Sequence, residues 1–487
     1  MNTLDKLKSY VSSKAGLDIS RNRAQANFFN ENDYDITKET PSFNIGFETT
    51  VEDDIIALET ARNTSRLKTK NNGFFKGLLN CATDHVIGIG LIAKSTIPRR
   101  KLDTLLEKDI KQIEDDIDNY FNDWCNSEHS DVTGVNNFYM QQRLAYFSYK
   151  RDGDCFASLP IINGNISLKL VGPEYLEGDI DGFTHGIKTN PNNKPISYRV
   201  RQKNDTYKII SNSRLKTNIL HLFKRERADA LRGMPFLTEV ITDIEYIDNY
   251  MKTELKAARL AAVFFGSIQT QSRESVMDNL GKDLSLSSNH NSNVETTKNK
   301  FSENQITQLR PDETLNIHQQ GRDNPNFDKT VHTTLQKIAT CVRMPTEIIQ
   351  TIFTSSYSAS RASLLLMEKF INPERMIFNK QFNNEIRRAV ILWGVLKGDL
   401  IIPNFLENIE TFLKCEWTGE TAGSVDPIKD AKAKILLIDN NLTTRTKVTK
   451  DLGQGGFEVN IHQLEKEQEM LKNLNEIKRK EEANDNN

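Results

Sequence analysis

The chain has 487 residues, enough for two or more cores or for one extended architecture of several parts. Its 64 basic and 66 acidic side chains leave a net charge of −2, far from the basic excess by which proteins grip DNA phosphates. A hydrophobic share of 37% and a mean hydropathy of −0.55 allow a core but point to large solvated or partner-facing areas.

Cys81, Cys125, Cys155, Cys341 and Cys415 are scattered and form no C-x-x-C pair, so reduced, buried thiols of a cytoplasmic product are expected. The histidines are scattered too, without an H-x-x-x-H pair, and neither a metal site nor another cofactor is expected. The N-terminus lacks an apolar signal core, and the longest apolar run is AARLAAVFF. A bilayer span takes roughly 20 residues, so a soluble protein without membrane association is expected.

The first fifty residues are polar and rich in Asn and Asp, the composition of an arm. From Val51 the apolar spacing predicts a helix, a break at Asn71-Asn72-Gly73, and a second helix ending near Gly88. A third helix over KLDTLLEKDIKQIEDDIDNYFNDW places Leu105, Ile110, Ile113, Ile117 and Phe121 on one face. A fourth surrounds NNFYMQQRLAYFSYKRDG. Between Asp154 and Phe223 the period changes to two, in short strands separated by Gly, Asn and Pro.

Pro235 then opens a helix of about eight turns. Its apolar stripe runs through Leu237, Val240, Ile241, Ile244, Ile247, Met251, Leu255, Ala258, Ala262 and Phe265. Asp243, Glu245 and Asp248 sit in its first half and Lys252, Lys256 and Arg259 in its second, a polarity that complements the helix dipole. A polar, low-complexity stretch follows, with β-like residues around LNIHQQG. The next helix, FDKTVHTTLQKIATCVR, is ended or bent at Met344-Pro345.

Beyond it lies TSSYSAS, residues 354–360, and then a helix of about thirty residues that Pro373 is expected to kink. The chain closes with a strand-like end to LIIPNFLENIETFLKCEWTG, a helix over DPIKDAKAKILLIDNN, and a charged helix with a frayed tail.

Ser356 or Ser358 as a nucleophile would need a base in reach and an oxyanion hole. Neither a G-x-S-x-G elbow nor an S-x-x-K spacing is present, and a polar loop with an N-cap serine is the simpler reading. GIGLIAK and GQGGF match no phosphate-binding loop and read as turns. Glu114, Asp115, Asp116 and Asp118 point around a helix and do not converge on one ion, so a solvated face is expected. No catalytic, cofactor-binding or metal residues are assigned.

Four passages, in this order, resemble the lambda-type family of tailed-phage portal proteins, the head-tail connectors. LETARNTSRLKTKNNGFFKGLLNCATDHVIGIGL is similar to the family's N-terminal helix pair. NILHLFKRERADALRGMPFL resembles its His-x-Phe and Arg-Gly-x-Pro-x-Leu passage into a long helix. IATCVRMPTEIIQTIFTSSYSASRASLLL resembles its Ile-Ala-x-x-x-Gly-x-Pro segment followed by Tyr-Ser-Ser-x-Arg. CEWTGETAGSVDPIKDAKAKILLIDNNLTTRTKV resembles its Trp-x-Gly and Val-Asp-Pro-x-Lys passage. Together they cover about residues 50 to 455. Arg343-Met344-Pro345 stands where the family usually has Gly-Val-Pro, and the tail after Leu452 shows little likeness.

The resemblance implies an α+β portal-protein architecture of wing, stem, clip and crown, with long helices and a small β-rich region. It implies a non-enzymatic protein that forms a ring of about twelve copies at one capsid vertex, with DNA passing through the channel in packaging and ejection. An N-terminal arm (1–50), a wing (51–234) and a first stem helix (235–265) are expected, followed by a clip (266–325) and a second stem helix (326–344). Next come a tunnel loop (345–359), a long kinked helix returning to the wing (360–425), and a crown with a charged tail (426–487).

Thr354, Ser355, Ser356, Tyr357 and Ser358 would face DNA, where hydroxyls give contact without the brake of fixed positive charge. Arg361 would reach either a phosphate or a neighbouring subunit. Implied partners are further copies of the chain, double-stranded DNA bound without sequence preference, the terminase large subunit, major capsid and scaffold proteins, and head-completion or tail adaptor proteins. The implied location is the virion, after synthesis in the host bacterial cytoplasm. The rival readings are a DNA-processing enzyme with a Ser or Tyr357 nucleophile, and a cytoplasmic helical scaffold.

Overall fold

The computed structural model describes residues 51–472 apart from 99–106, 177–181, 203, 205, 213–217, 263–264, 271–312, 319–323, 354–355, 421–425, 453–456, 458–459 and 462. The expected arm, most of the clip, the GQGG turn, Leu105, and Thr354 and Ser355 of the serine-rich stretch lie outside the described residues. The chain divides into two compact units, Met1–Ile56 and Ala57–Asn487. All elements beyond the first turns of the leading helix belong to the second.

Helix α1 (Val51–Asn71) and helix α2 (Gly73–Val86) are separated by Asn72 alone. Asn72 is extended, and its side chain accepts from the Phe75 N–H at 2.9 Å, so one residue both breaks α1 and caps α2. Phe75, Leu78, Leu79, Ala82 and Val86 of α2 recur at helical spacing and are buried. Gly88, in the left-handed region at φ 59°, turns the chain into strand β1 (Ile92–Ser95).

Helix α3 (Glu107–Asn126) buries Ile110, Ile113, Ile117 and Phe121. Two of its acidic residues have a structural task. Asp118 accepts from the Ser95 N–H at 3.0 Å and the Ser95 hydroxyl at 2.6 Å, and Glu114 accepts from the Ile97 N–H at 2.6 Å. One turn apart, these carboxylates fasten the end of β1, while Asp115 and Asp116 stay outside. Helix α4 (Phe138–Asp152) starts on the Asn137 cap and stops at Gly153, φ 85°.

Strands β2 (Asp154–Ser158), β3 (Ile161–Ile162), β4 (Asn165–Ile166), β5 (Lys169–Val171), β6 (Ile187–Thr189), β7 (Pro195–Arg201), β8 (Tyr207–Ser211) and β9 (Ile219–Phe223) fill the period-two region. They form antiparallel sheets of order β5-β2-β9 and β6-β7-β8, with β3 paired to β4. Phe156, Leu176, Ile187, Tyr198 and Ile219 pack between the two three-stranded sheets.

A short 3-10 turn (Thr238–Val240) leads into helix α5 (Ile241–Ala262). Strands β10 (Phe265–Thr270) and β11 (Glu313–His318) pair antiparallel and deliver the chain to helix α6 (Phe327–Val342). Tyr250 stacks on Phe327 with ring centroids 5.5 Å apart, and Lys337 pairs with Asp243 at 2.7 Å. The apolar stripe of α5 is buried at Ile244 and Ile247, but Met251 and Leu255 are 45% and 61% exposed.

After helix α7 (Thr346–Gln350), helix α8 (Tyr357–Phe378), a π turn (Asn379–Asn383) and helix α9 (Asn384–Lys397) form one helical run. The run passes Pro373 without ending; its hydrogen-bond register widens six residues later, at Asn379. There the Gln381 side chain accepts from the Phe223 N–H at 2.9 Å, fixing the π turn to β9. Helix α10 (Ile409–Phe412) and strand β12 (Cys415–Thr418) follow, and β12 pairs antiparallel with β1. Helix α11 (Pro427–Asp439), helix α12 (Arg445–Asp451) and a helical stretch over 463–472 complete the described chain.

The main core draws on α2, α4, α8 and the π turn, through Phe75, Leu79, Tyr146, Met367, Phe378 and Phe382. Buried charge runs beside it. Asp154, fully buried, is met by Arg62 at 3.2 Å, Arg232, His221 at 3.2 Å and the Gly233 N–H at 2.8 Å. Burial pushes its carboxyl up, and Arg232, His221 and Arg62 more than reverse this, holding it well below the usual carboxylate range. Gly153 and Gly233 lie so close that a Cβ on either would strike the other's carbonyl. The His-x-Phe and Arg-Gly-x-Pro residues of the sequence are therefore the far side of a clamp on Asp154.

All five cysteines are free. Cys125 and Cys155 are buried as expected, but Cys341 is exposed on the outer face of α6 and corrects the expectation of uniformly buried thiols.

Candidate functional site

The segment between α6 and α8 turns sharply twice, each time without glycine. Helix α6 closes on Arg343, at φ 59° and ψ 26°, and the Met344 N–H reaches back to the Ala339 carbonyl at 3.1 Å. Helix α7 closes the same way on Thr351, at φ 54°, with the Ile352 N–H on the Glu347 carbonyl at 3.1 Å. A left-handed residue with a Cβ costs roughly 1–2 kcal/mol, so packing must hold both. Met344 and Ile348, buried in the main core, supply it. The family resemblance implies glycine at this position, and the left-handed φ of Arg343 is a conformation that glycine adopts without steric cost.

Ile352 and Phe353 then stand out from the surface, 54% and 52% exposed. Ser356 holds the N-cap position of α8, but its hydroxyl makes no capping hydrogen bond. Tyr357 and Ser358 lie in the first turn of α8, so the serine-rich stretch is helical from Tyr357 on.

The first turn of α11 lies against that start. The Arg361 guanidinium pairs with the Asp430 carboxylate at 3.0 Å, and the Lys429 ammonium lies 5.1 Å from the centre of the Tyr357 ring. Asp426 caps α11 through the Lys429 N–H at 3.1 Å and pairs with the Lys429 ammonium at 3.2 Å. Arg361 thus has its partner within the chain, a contact that neither alternative drawn from the sequence contained. Nothing in the spacing of residues 361 and 430 signals it. On the other side of α8 a cleft of about 710 Å³ opens, lined among others by Thr340, Arg343, Met344, Leu366 and Phe370.

Among the described residues, no group of three or more His, Cys, Asp or Glu is placed to hold a metal ion, and no helix is long and apolar enough to cross a membrane. The groups brought to Tyr357 and Arg361 are a lysine and a carboxylate already engaged with each other's neighbours, an arrangement suited to charge balance.

The model of the family described as "Phage portal protein, lambda family" matches residues 46–375. The chain belongs to that family. The match takes in α1 to α7, the serine-rich stretch and most of α8; the Trp417 passage lies beyond it. Portal proteins are structural and not enzymatic, which removes the serine or tyrosine nucleophile reading.

Among solved structures, the chain is similar to one from the virion of a native gene transfer agent particle, at 9% identity and a TM-score of 0.45. That likeness covers 84% of this chain and all of the other. One from the neck of an empty gene transfer agent particle has the same identity and TM-score, over 81% of this chain and 93% of the other. An HK97-family phage portal protein from Corynebacterium diphtheriae has 9% identity and a TM-score of 0.27, over 65% and 84%. No curated protein matches the chain.

Proposed function

We propose that the chain assembles as a ring of about twelve copies at one vertex of a phage capsid. The ring is the channel for DNA packaging and ejection, and the docking site for the terminase and for head-completion or tail proteins. The observation that carries the reading is membership of the portal family over a span that includes both stem helices and the serine-rich segment. In this reading α5 and α6 are the stem, and the strands β10 and β11 root the clip. Residues 352–358 reach the channel, so that Thr354, Ser355, Ser356, Tyr357 and Ser358 face the DNA. The segments after Asp426 form the crown.

Large apolar side chains left outside in the single chain support assembly. Met251, Leu255, Leu365 and Leu366 are each between 45% and 61% exposed, and a heterologous ring contact would cover such patches with the neighbouring copy.

Native mass spectrometry with negative-stain imaging tests the reading. A closed ring of about twelve copies of 55.6 kDa with an axial hole is the expected result. A chain that stays monomeric even with its capsid protein present overturns it.

A further inference from the structure

No cation lies within the serine-rich segment, and the fold pairs the one that follows it. Residues 344–360 contain no Lys or Arg, and Arg361 is the first basic residue after Arg343. Its guanidinium is half exposed at the start of α8, directly after the stretch proposed to face DNA, and Asp430 of α11 holds it at 3.0 Å. The neighbouring Lys429, which lies over Tyr357, is balanced in turn by Asp426 at 3.2 Å. The two cations at the start of α8, Arg361 and Lys429, are thus each paired with a carboxylate from the start of α11.

We infer that Asp430 is a positioning residue that withholds Arg361 from DNA phosphates, so that the crown helix α11 sets how firmly the channel segment holds its cargo. The inference rests on the reading that residues 352–358 face DNA. A duplex sliding past a ring meets each Arg361 in turn, and a free guanidinium forms strong, charge-assisted bonds to phosphate. Repeated around a ring, that contact would arrest the strand at every phosphate. A carboxylate already bonded to the guanidinium offsets its charge and occupies the donor at Nη2, and leaves the hydroxyls and the tyrosine as the main touching surface. An exposed pair of this kind adds little to stability, so its place in the structure is better explained by charge than by folding.

The test is the salt dependence of binding of a short duplex of arbitrary sequence to the assembled full-length protein. Asp430→Asn keeps the side-chain shape and removes its charge. The expected result is tighter binding at low salt, with the slope of log K against log salt steeper by about 0.9 for each phosphate newly neutralised. Arg361→Gln is expected to leave the slope near the wild-type value, because the guanidinium is already withheld, and the double variant to behave as Arg361→Gln alone.

A slope unchanged in Asp430→Asn overturns the inference. So does a steeper slope that persists in the double variant, because Asp430 would then act by its own repulsion and not through Arg361; the channel reading would stand. If rings form but neither single variant nor the wild type binds the duplex at any salt, the placement of residues 352–358 against DNA falls and the inference with it. Circular dichroism and native mass confirm that each variant folds and assembles.

Discussion

The Lys150 ammonium lies 2.8 Å from the Glu374 carboxylate, both almost fully buried, and joins α4 to the C-terminal part of α8. The Tyr146 hydroxyl meets the same carboxylate at 3.2 Å, and the ammonium sits 4.4 Å from the Phe236 ring and 4.8 Å from the Tyr149 ring. Burial lowers the Lys150 pKa, and Glu374 works against that shift. Glu374→Gln strands a cation in an aromatic cage and is expected to cost roughly 3–5 kcal/mol. The double variant Lys150→Met/Glu374→Leu is expected to cost much less. Urea unfolding of the two measures the difference; equal losses would deny that charge pairing matters at this junction.

Arg343 carries a left-handed backbone that glycine adopts without steric cost. Arg343→Gly is expected to raise stability by up to about 1 kcal/mol, visible as a higher urea midpoint at unchanged slope. A loss would show that the arginine side chain, at the edge of the cleft beside α7, makes contacts worth more than the strain.

Gly73 and Gly233 predict opposite results for the same change. A Cβ on Gly73, at the start of α2, meets nothing within 4 Å, and alanine there is expected to stabilise by about 0.5–1 kcal/mol. On Gly233 a Cβ meets the Gly153 carbonyl and the Phe223 side chain, so Gly233→Ala is expected to destabilise by roughly 1–3 kcal/mol. Thermal unfolding of both variants checks the pair.

Acid should loosen the β-rich region first. The Asp154 carboxyl is held below its ordinary value of 3.8, so its stabilisation is present above that pH and is lost as pH falls through the lower folded value. Burial lowers the His221 pKa below 6.5 against the pull of Asp154, and keeps the ring neutral between Phe156 and Phe223. That contribution is full above 6.5 and declines as pH drops below it, because the unfolded histidine then takes up a proton that the folded one resists. Both act in the same direction. Stability measured from pH 8 down into strongly acidic solution, well below 3.8, should fall in two stages, and His221→Gln should remove the upper one.

What the residues disclosed in order along the chain, they disclosed through local physics. Asn72 as a break, Ile110 to Phe121 as a buried face, and the period-two strands after Asp154 all follow from spacing and caps. The left-handed stop at Arg343 was legible only as a departure from the family's glycine. Pro373 suggested a kink; the hydrogen-bond register itself widens at Asn379, in a π turn whose Gln381 side chain accepts from the Phe223 backbone N–H of β9. The stripe through Met251 and Leu255 read as one apolar face, because periodicity reports such faces and not what covers them. The clamp on Asp154 and the pair between Arg361 and Asp430 were hidden for a simpler reason: their members are brought together only by folding, across as many as 92 positions for Arg62 and Asp154. The serines read as loop because their composition favours turns, although Ser358 sits comfortably in a helix whose next turns are anchored by Met367 and Phe370.

The six-residue ladder between Phe265–Thr270 and Glu313–His318 closes the base of everything inserted between them. Adjacent strands stand about 5 Å apart, so the insertion leaves and re-enters the molecule at nearly one point. Its length and content can change at a cost that grows only with the logarithm of the loop, while α5 and α6 keep their register. Such an insertion is a cassette. It can be exchanged whole while the elements on either side of the ladder stay unaltered.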